Sequence, residues 1–196
     1  GGLLDGYVTV NAGIQEWVVP SSGTYSIEGY GAKGGGASGG DGAYVYGEFQ
    51  LTAGERLYII VGQSGGVSTQ GSNYCGGGGG ASYVYYDAAD STPLLVAAGG
   101  GGQSEYGCQI RTSGGSGSHT TTATPGTGSG SGAGGTAGQG GSNGNNIGNY
   151  STGAGGGGWL SNGEDGLTIR NPGGVGGLSP LNGSTGGLFV HNSGYT

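Results

Sequence analysis

Short apolar segments recur along the whole chain, and each has the length of a β-strand. Two of them, Thr24–Tyr30 and Ala43–Leu51, alternate with a period of two residues, as a strand with one buried face does. The other segments that predict strands are Tyr7–Val10, Ile14–Val19, Arg56–Val61, Ser82–Tyr86, Leu94–Ala98, Leu167–Arg170 and Leu188–His191. No window shows a 3.6-residue apolar period of helical length, so the sequence predicts an all-β protein.

Two uninterrupted glycine runs, Gly76–Gly80 and Gly99–Gly102, flank the segments Ser82–Tyr86 and Leu94–Ala98. The connection between these segments contains Asp, Ser, Thr and Pro93, which are typical of turns. The pattern therefore predicts a β-hairpin joined directly to glycine runs. Because flexible tethers do not usually alternate with strand-forming segments, we interpret the glycines as part of the fold. The alternative is that they are loose spacers.

Glycine dominates the composition, with 58 of the 196 residues. With 5 prolines and no Gly-X-Y period, the chain is not collagen-like. Low-complexity disorder is the next alternative, but 13 tyrosines and 2 tryptophans supply large areas for burial. We predict a single folded domain over residues 1–196, with an unusual share of backbone in its interior.

The segment Ser113–Gly144 consists almost wholly of Gly, Ser, Thr, Ala and Asn, and composition alone would make it a flexible linker. Ordered backbone without side chains must find partners for its N–H and C=O groups. Glycine-rich segments packed side by side in a polyproline-II-like conformation would supply such partners, because only glycine permits so close an approach. We take this packing as a hypothesis.

Charge is sparse, with a net charge of -7 and four scattered cations, Lys33, Arg56, Arg111 and Arg170. A nucleic-acid-binding protein shows clustered Lys and Arg, so we expect no nucleic-acid partner. No apolar run approaches the roughly 20 residues of a membrane span, so we expect none in this chain. Polarity comes instead from Ser, Thr, Asn and Gln, as in many extracellular proteins, and we predict an extracellular location.

The two cysteines, Cys75 and Cys108, predict one disulfide that closes a loop around the glycine-rich hairpin. On the chain-entropy model such a bridge stabilises by about 3–4 kcal/mol. Two free thiols are the alternative. A zinc site would need both histidines, His119 and His191, and their spacing does not favour one.

The order of several segments resembles the glycine-rich domain family, whose best-known members are the ectodomains of anaplastic lymphoma kinase and leukocyte tyrosine kinase. The blocks that carry the resemblance cover roughly residues 14–160 and are Glu16–Pro20 with Gly23–Gly35, Leu51–Gln63, Gly76–Val84 with Leu95–Gly102, and Gly155–Trp159. The resemblance implies an antiparallel β-sandwich, of the jelly-roll, tumour-necrosis-factor-like kind, with inserted polyglycine-II-like segments. It does not imply the receptor role, because a fold does not determine function.

Motifs that suggest catalysis are weak in this chain. Gly62–Gly66 fits G-x-S-x-G, but a nucleophile elbow opens a helix and the residues that follow do not predict one. Gly130, Gly132 and Gly135 fit G-x-G-x-x-G without a preceding strand. The acidic pairs Glu164–Asp165 and Asp87 with Asp90 could supply calcium ligands, but such turns need no metal. We expect no enzyme, no metal and no cofactor.

Two sequons are candidate N-glycosylation sites on exposed loops, at Asn149 and Asn182. The threonine-rich stretch 120–125 is compatible with O-linked sugar.

Tyrosine is the surplus residue type. In the segments at Tyr44–Tyr46 and Tyr83–Tyr86, tyrosines occupy positions that would face away from a single core. Either these rings pack on the glycine-rich part or they form a protein–protein interface, where tyrosine is favoured. The candidate interface residues are Tyr7, Tyr44, Tyr46, Tyr83, Tyr85 and Phe189.

These features together predict a non-enzymatic extracellular structural or interaction protein. We expect a homo-oligomer or polymer, such as a filament, appendage or matrix subunit. The terminal regions 1–13 and 171–196 would then supply strands that pair across subunits. The alternative is a ligand-binding module of a receptor or adhesin that takes a protein or glycan. Ice binding is weaker, because the glycines lack regular tripeptide spacing.

Overall fold

The computed structural model describes residues 6–67, 74–86, 93–105, 113–118, 122–128, 131–145, 151–167 and 173–187. Within these ranges the regular structure is β-strand, apart from one turn of 3-10 helix at Pro180–Asn182. The prediction of an all-β protein is therefore confirmed. The strands are β1 Val8–Asn11, β2 Ile14–Val18, β3 Gly23–Tyr30, β4 Tyr44–Leu51, β5 Arg56–Ile60, β6 Tyr74–Cys75, β7 Ser82–Tyr85, β8 Leu95–Ala97 and β9 Ser104–Glu105.

Five strands form one antiparallel sheet in the order β1-β2-β5-β7-β8. Strands β1 and β2 make a hairpin whose two-residue turn, Ala12-Gly13, has positive φ angles of 49° and 86°. Two positive φ values are those of the hairpin turn that matches strand twist, and glycine suits the second position. The predicted hairpin of Ser82–Tyr86 and Leu94–Ala98 is present as the β7–β8 pair.

Strands β3 and β4 form a separate antiparallel pair, in register from Gly23 opposite Leu51 to Tyr30 opposite Tyr44. Burial alternates along both strands, as their two-residue apolar period predicts. The inward side chains of the pair pack on the core, so the two sheets lie face to face in a sandwich-like arrangement.

Strands β5, β7 and β8 of the five-stranded sheet pack against other residues on both faces. One face contributes Leu57, Val84 and Leu95 to a cluster with Leu51 of β4. The opposite face contributes Ile60, Tyr83 and Tyr85 to a second cluster, which contains Trp159. Strands that are buried on both faces have nearly continuous apolar sequences rather than alternating ones, and this explains the sequences of β5 and β7.

The second cluster borders a part of the chain that we call the glycine-rich region. It comprises the described stretches 31–42, 62–66, 76–80, 99–103, 113–117, 138–142, 151–158, 161–167, 173–178 and 184–187. These stretches are joined by backbone hydrogen bonds between residues distant in sequence, most of them 2.8–3.1 Å long. Backbone N–H and C=O groups inside the protein are thereby satisfied, as burial requires.

The run Gly76–Gly80 shows how these stretches meet. Its N–H groups change partner with a period of three residues. Gly76 and Gly79, three residues apart, donate to the carbonyls of residues 103 and 100 in one stretch. Gly77 and Gly80 donate to the carbonyls of residues 66 and 63 in a second stretch, and Gly78 donates to that of residue 175 in a third. The carbonyls follow the same period. Those of Gly76 and Gly79 accept from the N–H groups of residues 154 and 157, those of Gly77 and Gly80 from residues 35 and 32, and that of Gly78 from residue 187. One glycine run thus contacts six other stretches of the chain: 32–35, 63–66, 100–103, 154–157, residue 175 and residue 187.

Close approach explains why these positions are glycine. A Cβ built on Gly78 would overlap the carbonyl of Gly155, and one on Gly100 would overlap the carbonyl of Gly40. Neither glycine has a φ in the left-handed region, so the requirement is space rather than conformation.

Two predicted strands, Leu167–Arg170 and Leu188–His191, fall mostly or wholly outside the described residues and stay predictions. Leu167 lies outside any strand, and residues 168–170 and 188–191 lie outside the described residues. Where it is described, Ser113–Gly144 contains only isolated bridges, Ser113 with Thr127 and Thr122 with Thr136. The short pair of β6 and β9 was not predicted, because two-residue strands carry no sequence period.

Candidate functional site

Two of the candidate interface tyrosines are buried, so the prediction that they lie at a surface is wrong. Tyr83 and Tyr85 are only 1% and 2% exposed. The Tyr83 hydroxyl donates a hydrogen bond of 2.6 Å to the carbonyl of Gly158, and both rings pack on Trp159 at centroid distances of 5.3 and 5.6 Å. Of the two interpretations that the sequence left open, packing on the glycine-rich region applies here.

Tyr44 and Tyr46 are in contrast about half exposed, at 49% and 50%. They lie on the outer face of the β3–β4 pair, where Tyr30 is 63% exposed and directly opposite Tyr44. The rings of Tyr30 and Tyr44 have centroids 4.9 Å apart. Tyr30 was not among the predicted interface residues, although its alternation with Ile27 and Gly29 places it on the outer face of β3.

Two carboxylates stand on the same outer face. Glu28 lies opposite Tyr46, and Glu48 lies opposite Ser26, two residues away along each strand. The hydroxyl of Tyr46 donates a hydrogen bond of 2.8 Å to Oε1 of Glu48. We call Glu28, Tyr30, Tyr44, Tyr46 and Glu48 the tyrosine–glutamate face.

The carboxylates set the electrostatics of this face. The hydrogen bond to Glu48, then desolvation and the charges of Glu48 and Glu28, raise the pKa of Tyr46. Desolvation, followed by the charge of Glu28, the neighbouring Tyr30 and a hydrogen bond with Glu28, raises the pKa of Tyr44. Both tyrosines therefore remain neutral at physiological pH, and the face has a negative charge from its two glutamates.

Tyr7 is also exposed, next to β1 at the edge of the five-stranded sheet. Val10 of β1 is 68% exposed. In the part of the chain that the structure describes, β1 pairs with β2 alone, which leaves its other edge open. The remaining candidate interface residue, Phe189, lies outside the described residues.

Cys75 is fully buried at the end of β6, and it is not a free thiol. Its predicted partner, Cys108, lies outside the described residues, so the Cys75–Cys108 disulfide stays a prediction.

The structure describes the asparagine of only one of the two sequons. Asn149 lies outside the described residues, whereas Asn182 is exposed at the end of the 3-10 turn. The Nδ2 of Asn182 donates hydrogen bonds to Asn162 Oδ1 at 2.9 Å and Ser179 Oγ at 3.2 Å. A sugar on Asn182 would have to replace one of these bonds.

The weak catalytic and metal motifs have structural roles where they are described. Gly65 and Gly66 donate to the carbonyls of Lys33 and Gly187 within the glycine-rich region. Glu164 and Asp165 accept hydrogen bonds from backbone N–H groups. The described residues contain no group of three or more His, Cys, Asp or Glu that could hold a metal ion. Asp87, Asp90, His119, His191 and Gly130 lie outside these ranges.

A cavity of about 410 Å³ lies against the glycine-rich region. Glycine, serine, alanine and threonine supply most of its lining, together with Pro93, Val96, Gln139, Trp159 and Leu160. None of the described residues that line it is an acid, a base or a cysteine. Such a lining offers backbone polar groups and hydroxyls, but no side chain suited to proton transfer at neutral pH.

No protein-family model matches the chain. Its resemblance to the glycine-rich domain family therefore rests on the sequence blocks given above. Among the described residues, no helix has the length and apolar character needed to cross a membrane.

Proposed function

We propose that this chain is a non-enzymatic extracellular structural protein that assembles with copies of itself into a filament, appendage or matrix. The sandwich would be of the jelly-roll, tumour-necrosis-factor-like kind, and the chain a relative of the glycine-rich domain family. The proposal includes the Cys75–Cys108 disulfide and glycosylation at Asn149 and Asn182. A filament or matrix subunit needs a rigid body and a surface that adds a second copy.

The glycine-rich region supports the rigid body. We interpret Gly76–Gly80 as a polyglycine-II-like helix, because that helix has three residues per turn and no internal hydrogen bonds. The three-residue period in its bonding partners fits this interpretation. A second run, Thr152–Gly157, repeats the period in its carbonyls. Carbonyls three residues apart accept from the same stretch. Those of residues 152 and 155 accept from the N–H groups of residues 174 and 177, and those of residues 153 and 156 from residues 144 and 141. Those of residues 154 and 157 accept from residues 102 and 99.

The observation that carries self-assembly is the outer edge of β1, which pairs with no other strand among the described residues. The bond from Val18 N to the Tyr7 carbonyl makes Tyr7 and Val18 a hydrogen-bonded pair. Because such pairs alternate with non-bonded pairs in an antiparallel ladder, Val8 and Val10 direct their N–H and C=O groups away from β2. The edge Val8-Thr9-Val10-Asn11 has no lysine or proline to block a further strand. A strand of another copy, with Leu188–His191 as the candidate, would pair there.

Electron microscopy of the purified protein with the variants Val10→Pro and Val10→Ala tests this proposal. Proline removes an outward N–H without breaking a bond to β2, whereas alanine keeps the N–H and removes the same apolar side chain. We expect assemblies in the wild type and in Val10→Ala, and dispersed particles in Val10→Pro. Dispersed wild-type particles at high concentration would refute self-assembly, and assemblies of Val10→Pro would refute the β1 edge.

A second candidate is a ligand-binding module of a cell-surface receptor or adhesin, which the tyrosine–glutamate face favours. The full-length gene distinguishes the two candidates. A longer gene that encodes a membrane span supports the module, and a gene with only a signal peptide and this chain supports the subunit.

A further inference from the structure

The tyrosine–glutamate face is an exposed area of the β3–β4 pair, on the side that points away from the packed interior. Its three rings are each about half exposed or more, and they lie on one side of the β3–β4 pair. Glu28 and Glu48 are diagonal neighbours across the two strands, a spacing of about 7–8 Å between Cα atoms. Aromatic rings thus stand beside two carboxylates that are close enough for one partner segment to contact both.

The two carboxylates lack cationic partners in the described part of the chain. The described cations, Lys33 and Arg56, pair instead with Asp41 and Glu16. Along β3 and β4 the outward positions that complete the face are Thr24, Ser26 and Gln50, which are uncharged. The face therefore combines exposed aromatic area with two carboxylates that pair with no described cation.

We propose that the tyrosine–glutamate face binds a polypeptide segment rich in arginine and lysine. Arginine stacks on tyrosine rings through cation–π contacts and also forms hydrogen-bonded ion pairs with carboxylates. Because this face presents rings and carboxylates side by side, one arginine side chain can make both kinds of contact. Charge complementarity excludes the same face of a second copy, because two pairs of glutamates would then meet. This surface is distinct from the β1 edge, and its test is independent of self-assembly.

Isothermal titration calorimetry with a short peptide of alternating arginine and serine tests the proposal. The matched control peptide replaces each arginine with citrulline, which keeps the shape and removes the charge. We expect binding of the arginine peptide that weakens as salt rises, and no binding of the citrulline peptide. Neutral oligosaccharides serve as the second probe, because exposed tyrosines can also stack on sugars.

Three double variants locate the site. We expect Glu28→Gln with Glu48→Gln, and Tyr44→Ala with Tyr46→Ala, each to weaken the arginine peptide by about tenfold or more. The control, Asp41→Asn with Glu55→Gln, removes the same net charge elsewhere and should change the Kd by about twofold at most.

Equal losses in the glutamate variant and the charge control would refute the site, since the binding would then follow net charge alone. Binding of oligosaccharide without binding of the arginine peptide would also overturn the proposal. An unchanged Kd in the tyrosine variant would refute the role of the rings.

Discussion

The sandwich and the glycine-rich region of this protein are held together by different groups. In the sandwich, side chains such as Leu57, Val84 and Leu95 interdigitate between sheets. In the glycine-rich region, backbone contacts backbone directly, and carbonyls occupy the space that side chains would fill. A side-chain core depends on volume and shape, whereas a backbone core depends on the absence of any side chain. The two regions should therefore respond differently to mutation.

The largest expected effect is that of one methyl group in the middle of the glycine-rich region. Gly78→Ala would place a Cβ against the Gly155 carbonyl and 2.8 Å from the Gly177 nitrogen, and these backbone atoms cannot rotate away. We expect a loss of at least about 4 kcal/mol in the free energy of unfolding, or no folded protein. Chemical denaturation measures this loss.

Gly23→Ala is the matched control, because a Cβ there meets nothing within 4 Å and the residue is not in the left-handed region. Its free energy of unfolding should change by less than about 1 kcal/mol. Similar losses in both variants would mean that close packing is not what requires glycine at position 78.

The side-chain core should tolerate a change of shape better than a change of volume. Leu57 is 0% exposed, and Leu57→Ala should cost about 3 kcal/mol through lost burial and a cavity. Leu57→Met nearly conserves volume and should cost less than about 1.5 kcal/mol. The same denaturation measurement applies, and an equal cost for the two variants would contradict the proposed difference between the regions.

The smallest effect concerns one hydrogen bond between the two regions. Tyr83→Phe removes the hydrogen bond to the Gly158 carbonyl and should cost about 1–2 kcal/mol. The exposed Tyr7→Phe should cost less than about 0.5 kcal/mol. Thermal unfolding at neutral pH compares the two variants. An equal shift in their Tm would show that the hydrogen bond of Tyr83 does not stabilise the fold.

Alkaline pH provides a second measurement on Tyr83. Burial raises the pKa of Tyr83, so the folded state keeps its proton at a pH where the unfolded state has lost it. Stability from this group is therefore complete below about pH 10 and falls as pH rises above that value, by at most about 1.4 kcal/mol per pH unit. We expect a shallower alkaline decline for Tyr83→Phe, and an unchanged slope would contradict this linkage.

The strands of the sandwich were largely predictable from the sequence. Alternation placed β3 and β4 to within a residue, and β-branched and aromatic segments located β2, β5, β7 and β8. The surface positions were less predictable. The alternation of Tyr83 and Tyr85 with Val84 gives the period, but it does not reveal that a second layer covers the tyrosine side of the sheet. For the same reason, one sequence pattern predicted exposure for both Tyr44 and Tyr83, although Tyr44 is exposed and Tyr83 is buried.

The positions of the strands and of the stretches without side chains follow from the amino-acid sequence, because both depend on local residue type and spacing. Which glycine runs meet, and which tyrosines face solvent, depends on how the whole chain folds. Glycines are identical to one another, so a run such as Gly76–Gly80 has no side chains that specify its neighbours. Its partners are selected by backbone hydrogen bonds that exist only once distant stretches have come together.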